Sequence, residues 1–144
     1  CYMADTGLLI SHAFDEKQIV SNELYRKLLL DKLEVNAGML IENIVAQMLV
    51  AAGHNLYFYS NSDKEEAENR MEIDFLIRKD NVTSRHNIIP IEAKSSSGYT
   101  THSLNKCAQK FKEYITLPTV LHPADYKEDT DGKRYLPLYM TPLL

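Results

Sequence analysis

Three acidic residues and a lysine stand in an order that is typical of a divalent-metal site built on paired strands. Glu42 lies in a helical stretch, Asp74 lies in an alternating segment at residues 72–77, and Glu92 and Lys94 lie two residues apart in a second such segment. Mg²⁺ prefers oxygen ligands, and a nearby ammonium neutralises charge that develops on a phosphodiester. The set predicts a metal site with Asp74 and Glu92 as ligands. Glu42 would be an auxiliary ligand or base, and Lys94 the catalytic ammonium.

Apolar residues alternate with the charged ones in both segments, which indicates two strands that each bury one face. Because alternate strand residues point the same way, Glu92 and Lys94 should leave one face together. If the two strands pair, Asp74 should converge with them. The predicted buried faces consist of Ile73, Phe75 and Ile77 in the first strand and of Ile89, Ile91 and Ala93 in the second.

Glu42 begins an apolar stripe on its helix. Val45, Ala46 and Leu49 follow it by three, four and seven residues, which places the carboxylate beside a face that should pack on the sheet. A buried carboxylate without a partner is costly. We therefore expect Glu42 to approach Asp74 and Lys94.

Each of these residues also has a structural interpretation. Asp74 would then be a surface residue on the open face of a strand, and Glu92 with Lys94 would form a same-face salt bridge that stabilises the protein little. Even a complete set of four does not require catalysis, because a fold can retain such residues while it serves in binding.

The wider sequence resembles a known nuclease superfamily. Asp74 followed by Glu92-Ala93-Lys94, with the helical Glu42 upstream, is similar to the PD-(D/E)xK superfamily, whose core runs helix, three strands, helix, strand. Residues 2–9, 38–43 and 91–95 together resemble the uncharacterised C-terminal domain of prokaryotic AAA-type (P-loop) ATPases. This likeness covers nearly the whole chain. One departure is Ile73, which stands where the superfamily has a proline.

The resemblance implies a fold, a cofactor and partners. The fold would be a restriction-endonuclease-like α/β domain, a mixed sheet flanked by helices. Glu42, Asp74 and Glu92 would hold Mg²⁺ or Mn²⁺, and these three with Lys94 would form the catalytic set of a hydrolase that cleaves phosphodiesters. DNA and the chain's own N-terminal ATPase domain would be partners. The rival function is a non-catalytic interaction module that regulates the attached ATPase or holds its oligomer together. An open cleft would favour the enzyme, and an occluded pocket the module.

Length, composition and charge bound these hypotheses. The 144 residues suit a single domain, 1–144, with 44% hydrophobic and 25% charged residues. No apolar run approaches the ~20 residues that span a bilayer, so we expect a cytoplasmic protein without a membrane segment. The net charge of −4 argues against nucleic-acid binding over the whole surface but not against a local site. Because the first residue is Cys1 and not methionine, we expect the chain to be the C-terminal fragment of a longer ATPase.

Periodicity, caps and turn residues predict the elements. A short strand should lead into a helical turn within residues 2–10. On a later helix, three lysines would line either a phosphate path or a solvated face: Lys106, Lys110 and Lys112. The remaining predicted elements are helices at 23–32 (capped by Ser21), 36–52 and 103–115, and strands at 56–59, 71–78, 88–94, 119–121 and 135–140, with a hairpin loop at 79–87 and a turn at Gly132.

Overall fold

The computed structural model of the protein describes residues 2–15, 36–63, 69–79, 84–96, 98–127 and 131–144. Within these ranges the chain forms three α-helices, five strands and a C-terminal 3-10 helix. None of the helices in these ranges is long and apolar enough to cross a membrane. In chain order the elements are α1 (Thr6–Asp15), α2 (Ala37–Ala51), β1 (Tyr57–Asn61), β2 (Met71–Arg78), β3 (Ile88–Ala93), α3 (His102–Lys110), β4 (Thr119–His122), β5 (Arg134–Pro137) and the 3-10 helix (Leu138–Leu143).

The five strands form one mixed sheet in the order β1-β2-β3-β4-β5. β1, β2 and β3 pair antiparallel, whereas β3, β4 and β5 pair parallel. A parallel pair needs a crossover connection, and α3 lies in the one between β3 and β4. The expectation of a mixed sheet flanked by helices is therefore confirmed.

The helices cover the two faces of the sheet. On one face, Val45 and Leu49 of α2 belong to a buried cluster with Phe75, Ile91 and other strand residues. On the opposite face, the buried side chains of α3 belong to a second cluster with residues of β2, β4 and β5. We call these the α2 side and the α3 side. Asn36 caps α2 at its start, and Gly53, with φ +94°, follows its end in a conformation that favours glycine.

A β-bulge in β2 splits the apolar face that the sequence predicts there. Tyr57 lies opposite Leu76, but Tyr59 lies opposite Ile73, so β2 contains one extra residue between these pairs. As a result Ile73 packs on the α3 side, whereas Phe75 packs on the α2 side. The prediction that both belong to one face is wrong. For β3 the prediction is confirmed, since its alternating residues all pack on the α2 side: Ile89, Ile91 and Ala93.

Three predicted elements differ from those observed. The short strand expected within residues 2–10 is not formed; instead α1 begins at Thr6, because Asp5 caps it by accepting a hydrogen bond from the Leu8 N–H at 3.0 Å. The helix expected to reach Ile115 ends at Lys110, and Ile115 forms a bridge with Ile88.

The last strand is also shorter than predicted. β5 ends at Pro137, which has no N–H to donate to a strand ladder, and the chain then turns into the 3-10 helix. The other predicted helices and strands within the described ranges are confirmed to within a few residues, and Gly132 lies in a turn with φ +77°. The predicted helix at 23–32 and part of the loop at 79–87 lie outside the described residues.

The segment before α1 is fastened to α2 by a hydrogen-bond network. The Met3 N–H donates to Asn43 Oδ1 at 2.7 Å, and Asn43 Nδ2 donates to Thr6 Oγ1 at 3.1 Å. Gln47 Nε2 donates to the Met3 carbonyl at 3.1 Å and to Thr6 Oγ1 at 2.9 Å. Asn43 is buried, so its polar groups need these partners. The network holds Tyr2 against the sheet, where its ring centroid lies 5.3 Å from that of Phe75.

Candidate active site

Asp74 is fixed at the point where the β2–β3 ladder ends. The last paired residues are Phe75 and Ile91. Beyond them, Asp74 Oδ2 accepts a hydrogen bond from the Ala93 N–H at 2.8 Å. The side chain thus takes the place that a backbone carbonyl would have in a continued ladder. This contact holds the Asp74 carboxylate directly on the Glu92-Ala93-Lys94 segment.

Glu92 and Lys94 form an ion pair on the α3 side of β3. Lys94 Nζ lies 2.9 Å from Glu92 Oε2, and the side chains are 25% and 4% exposed. The ammonium does not meet this oxygen in hydrogen-bonding geometry, so Oε2 is buried without a hydrogen-bond donor. The backbone of Lys94 is held separately, because its N–H donates to the Leu121 carbonyl at 2.8 Å. The predicted two-residue spacing therefore does bring these two charges together.

Glu42 and Asp74 line one cleft between α1, α2 and β2. The cleft has a volume of about 330 Å³, and Tyr2 and Glu72 also line it. Glu92 lies on the other side of β3, near the buried thiol of Cys107. Burial raises the pKa of this thiol to about 11, and the charge of Glu92 adds to the effect. Asp74 and Glu92 therefore do not share a single open face, although the charge of Glu92 acts on the pKa of Asp74.

Burial governs the electrostatics of Asp74. It raises the pKa of the carboxyl from 3.8 to about 6, which the hydrogen bond from Ala93 opposes. The charges of Glu42 and Glu92 raise this pKa further, while that of Lys94 lowers it. Burial also raises the pKa of Glu42, and there too Lys94 acts in the opposite direction. The four predicted residues are thus close enough for their charges to interact.

Two titratable residues of the cleft, Tyr2 and Glu72, were not predicted from the sequence. Glu72 is the strongest charge acting on the pKa of Glu42. Burial raises the pKa of Tyr2 to about 12, and the charges of Glu42, Asp74 and Glu72 add to this effect. The position of Glu72 could have been predicted from the sequence, because it stands two residues before Asp74 and alternate strand residues share a face. The position of Tyr2 could not, because Tyr2 reaches the cleft only through the hydrogen bonds between α2 and the segment before α1.

Comparison with known families supplies a classification for the chain. Residues 37–140 match the domain of unknown function DUF4143. The chain belongs to this family. The matched region begins with α2 and contains Glu42, Asp74, Glu92 and Lys94, whereas Tyr2 and α1 precede it. No curated protein and no solved structure matches the chain.

The side chains fit a divalent cation by chemistry but are not gathered around one position. Glu42, Asp74 and Glu92 offer hard oxygen ligands. However, among the described residues no three His, Cys, Asp or Glu side chains are close enough together to hold a metal ion. The Lys94 ammonium lies at the Glu92 carboxylate instead.

The lysines of α3 lie at a different surface. Lys106 and Lys110 line a separate groove with Met71 and Gln109, and Lys106 Nζ donates to the Arg70 carbonyl at 3.2 Å. Lys112 follows the end of α3 and is exposed. The predicted phosphate path along all three therefore does not lead into the cleft that Asp74 lines.

Two variants of Asp74 separate its charge from its hydrogen bond. Because folding raises the pKa from 3.8 to about 6, the contribution of Asp74 to stability is greatest below pH 4 and is lost as the pH rises through 6. In chelator, Asp74→Asn should therefore be close to wild type in stability at pH 4 and exceed it by about 2 to 3 kcal/mol at pH 8. Asparagine retains an oxygen that accepts from the Ala93 N–H.

Asp74→Ala lacks that oxygen and leaves the buried Ala93 N–H without an acceptor. We expect it to be less stable than Asp74→Asn by about 1 to 3 kcal/mol at both pH values. Urea unfolding of the three proteins measures these differences. Equal stability of the alanine and asparagine variants would show that the hydrogen bond does not hold the site.

Proposed function

We propose that this domain hydrolyses phosphodiester bonds with the help of Mg²⁺ or Mn²⁺, as a member of the PD-(D/E)xK nuclease-like superfamily with a restriction-endonuclease-like fold. The observation that carries the proposal is the hydrogen bond from the Ala93 N–H to Asp74 Oδ2, at 2.8 Å. It fixes one carboxylate on the backbone between a second carboxylate, Glu92, and the lysine, Lys94.

The order of elements supports the same proposal. From α2 onward the chain runs helix, three antiparallel strands, helix and a parallel strand, which is the order expected of that superfamily. The positions of the acidic side chains along these elements are compatible with the proposal. Glu42 lies on α2, Asp74 on β2, and Glu92 near the end of β3.

Each residue would have a distinct role. Asp74 and Glu92 would hold the cation, which when bound supplies positive charge to the phosphodiester and lowers the pKa of a coordinated water. The Ala93 N–H orients Asp74. Lys94, whose side chain is partly exposed, would bind a phosphate oxygen. Burial raises the pKa of Glu42, so its carboxylate is suited to accept a proton from water or to add a ligand oxygen.

The partners follow from this role. DNA is the proposed substrate, and an N-terminal AAA-type ATPase domain of the same protein would be the physical partner. The carboxylates of the cleft repel a polyanion, and the whole chain has a net charge of −4. A bound cation would therefore be needed for substrate to approach as well as for chemistry.

A binding module is the second candidate, and the composition of the cleft favours it. Three carboxylates, those of Glu42, Glu72 and Asp74, line the cleft beside the aromatic residues Tyr2 and Phe58. Such a lining attracts a basic group of a protein partner more readily than a phosphate. The module would regulate or assemble the attached ATPase.

A substrate panel tests the first candidate. Wild-type protein is incubated with single-stranded DNA, double-stranded DNA and RNA in Mg²⁺, in Mn²⁺ and in chelator. We expect metal-dependent cleavage of at least one DNA substrate and none in chelator. If no substrate is cleaved in either metal, hydrolysis is contradicted and the binding module remains.

A further inference from the structure

His122, the last residue of β4, is a buried histidine that the proposed reaction does not use. It is 3% exposed, and its Nδ1 accepts a hydrogen bond from the Ala124 N–H at 3.2 Å. A ring nitrogen accepts only when it carries no proton, so the proton of the neutral ring lies on Nε2. Nε2 is buried and has no hydrogen-bond partner among the described residues. The hydrogen bond to Ala124 therefore exists only while the ring is neutral.

The surroundings of His122 disfavour a positive charge on its ring. The ring centroids of Tyr99, before α3, and Tyr135, in β5, lie 6.0 Å and 6.5 Å from that of His122. Burial, and then the charge of Lys127, lower the pKa of His122 below its usual 6.5. Charged side chains on the elements beside β4 are paired with one another: Lys94 with Glu92, and Lys133 with Asp131, which also accepts from the Tyr135 hydroxyl.

The five residues after His122 form a surface segment that is fastened at both ends. We call residues 123–127 the latch segment, and all of them are exposed. Near its start, the Ala124 N–H is bound to His122. At its end, the Lys127 N–H donates to the Tyr135 carbonyl at 3.4 Å, and Lys127 Nζ lies 5.0 Å from the centroid of the Tyr135 ring. A segment with so little buried surface can open while the core stays folded.

We propose that His122 is a pH-sensitive latch: its neutral ring holds the latch segment against β5, and protonation of Nδ1 releases the segment. In the protonated ring, the Nδ1–H and the Ala124 N–H are two donors that face each other, so the hydrogen bond is lost. The new charge is also buried, which favours any opening that brings the ring to water. Release would expose Tyr135, which is 8% exposed while Lys127 lies over its ring. The latch does not depend on the proposed hydrolysis.

The direction of the pH response follows from the lowered pKa. In the open segment the ring should titrate near its usual 6.5, whereas in the latched form its pKa is lower, chiefly because the ring is buried. The latch is therefore at full strength above pH 6.5 and weakens as the pH falls from 6.5 toward the pKa of the latched ring. Within that window the population of the open segment should rise by up to about tenfold for each unit of pH.

The test measures exchange of the Ala124 and Lys127 amide protons with water by NMR, corrected for the intrinsic pH dependence of exchange. In wild type, the corrected exchange should increase by about 5- to 10-fold from pH 7.5 to pH 5.5. The amides of Val120 and Leu121 within β4 should stay protected at both pH values. In His122→Asn the corrected exchange should not change, because asparagine also accepts from the N–H two residues on but gains no proton.

His86→Asn is the matched control. His86 Nδ1 lies 3.2 Å from the Ile115 carbonyl, to which a ring nitrogen can only donate, so protonation does not break this contact. The variant should show the wild-type response of the latch segment. A response that is lost in His86→Asn would overturn the assignment to His122.

The other outcomes are equally decisive. Equal corrected exchange of wild type at the two pH values overturns the latch, and so does the same increase in His122→Asn. Loss of protection in β4 at pH 5.5 also overturns it, since acid would then unfold the domain as a whole. If His122→Asn does not fold, NMR titration of the wild-type ring supplies the pKa of His122. The increase in exchange must then fall between that value and 6.5, and an increase outside this window overturns the latch.

Discussion

Glu92→Gln is expected to lower the rate of Mg²⁺-dependent hydrolysis by about 10²-fold or more while the protein stays folded. Glutamine has the shape of glutamate but lacks the charge that would hold the cation. The loss of the ion pair should cost little stability, because the partly exposed Lys94 can turn to solvent and is not left buried without a partner. Initial rates on the preferred DNA substrate, together with urea unfolding, measure both effects.

Glu113→Gln provides the control, since Glu113 is an exposed glutamate beyond α3. It should match wild type in rate and in stability. The prediction is contradicted if Glu92→Gln hydrolyses DNA as fast as wild type. It is also contradicted if the rate falls only in proportion to the folded fraction, since Glu92 would then hold the fold and not a cation.

The pH dependence of hydrolysis should report the ionisation of Asp74. Its carboxyl has a pKa of about 6, raised mainly by burial, and only the ionised form can bind a cation. At Mg²⁺ concentrations too low to saturate the site, kcat/KM should therefore fall about tenfold for each unit of pH below 6 and level off above pH 7, whereas saturating Mg²⁺ should move this limb to lower pH. A profile of kcat/KM is the appropriate measurement because it reflects the groups of the free enzyme.

Glu42→Gln refines this prediction. The charge of Glu42 raises the pKa of Asp74, so its removal should shift the acid limb of the profile to lower pH. A limb that stays in place in Glu42→Gln, or a rate that is constant from pH 5 to pH 8 in wild type, would mean that Asp74 does not control the reaction.

Local patterns predicted the elements that carry the site. The alternation of Met71–Arg78 and the apolar stripe after Glu42 are properties of neighbouring residues, and β2 and α2 were recovered from them. The contact between Glu92 and Lys94 follows from their two-residue spacing on a strand. These features need no knowledge of the rest of the fold.

Contacts between residues far apart in the sequence determine the structural features that sequence patterns did not predict. The bulge in β2 depends on the register with β1, and it places Phe75 and Ile73 on opposite sides of the sheet. The early end of α3 reflects the bridge between Ile115 and Ile88, which lie far apart in the sequence. Tyr2 reaches the cleft because buried Asn43 binds the segment before α1. A pattern of single residues cannot specify such contacts.

The most direct test of metal-dependent hydrolysis is the rate of DNA cleavage at pH 8 by wild type and Asp74→Asn in Mg²⁺. Asparagine should keep the hydrogen bond from the Ala93 N–H and the fold, so a loss of rate would report the missing charge alone. We predict cleavage by wild type that chelator abolishes, and a rate for Asp74→Asn lower by about 10²-fold or more. Equal rates for the two proteins, or no cleavage by wild type, would contradict the proposed function.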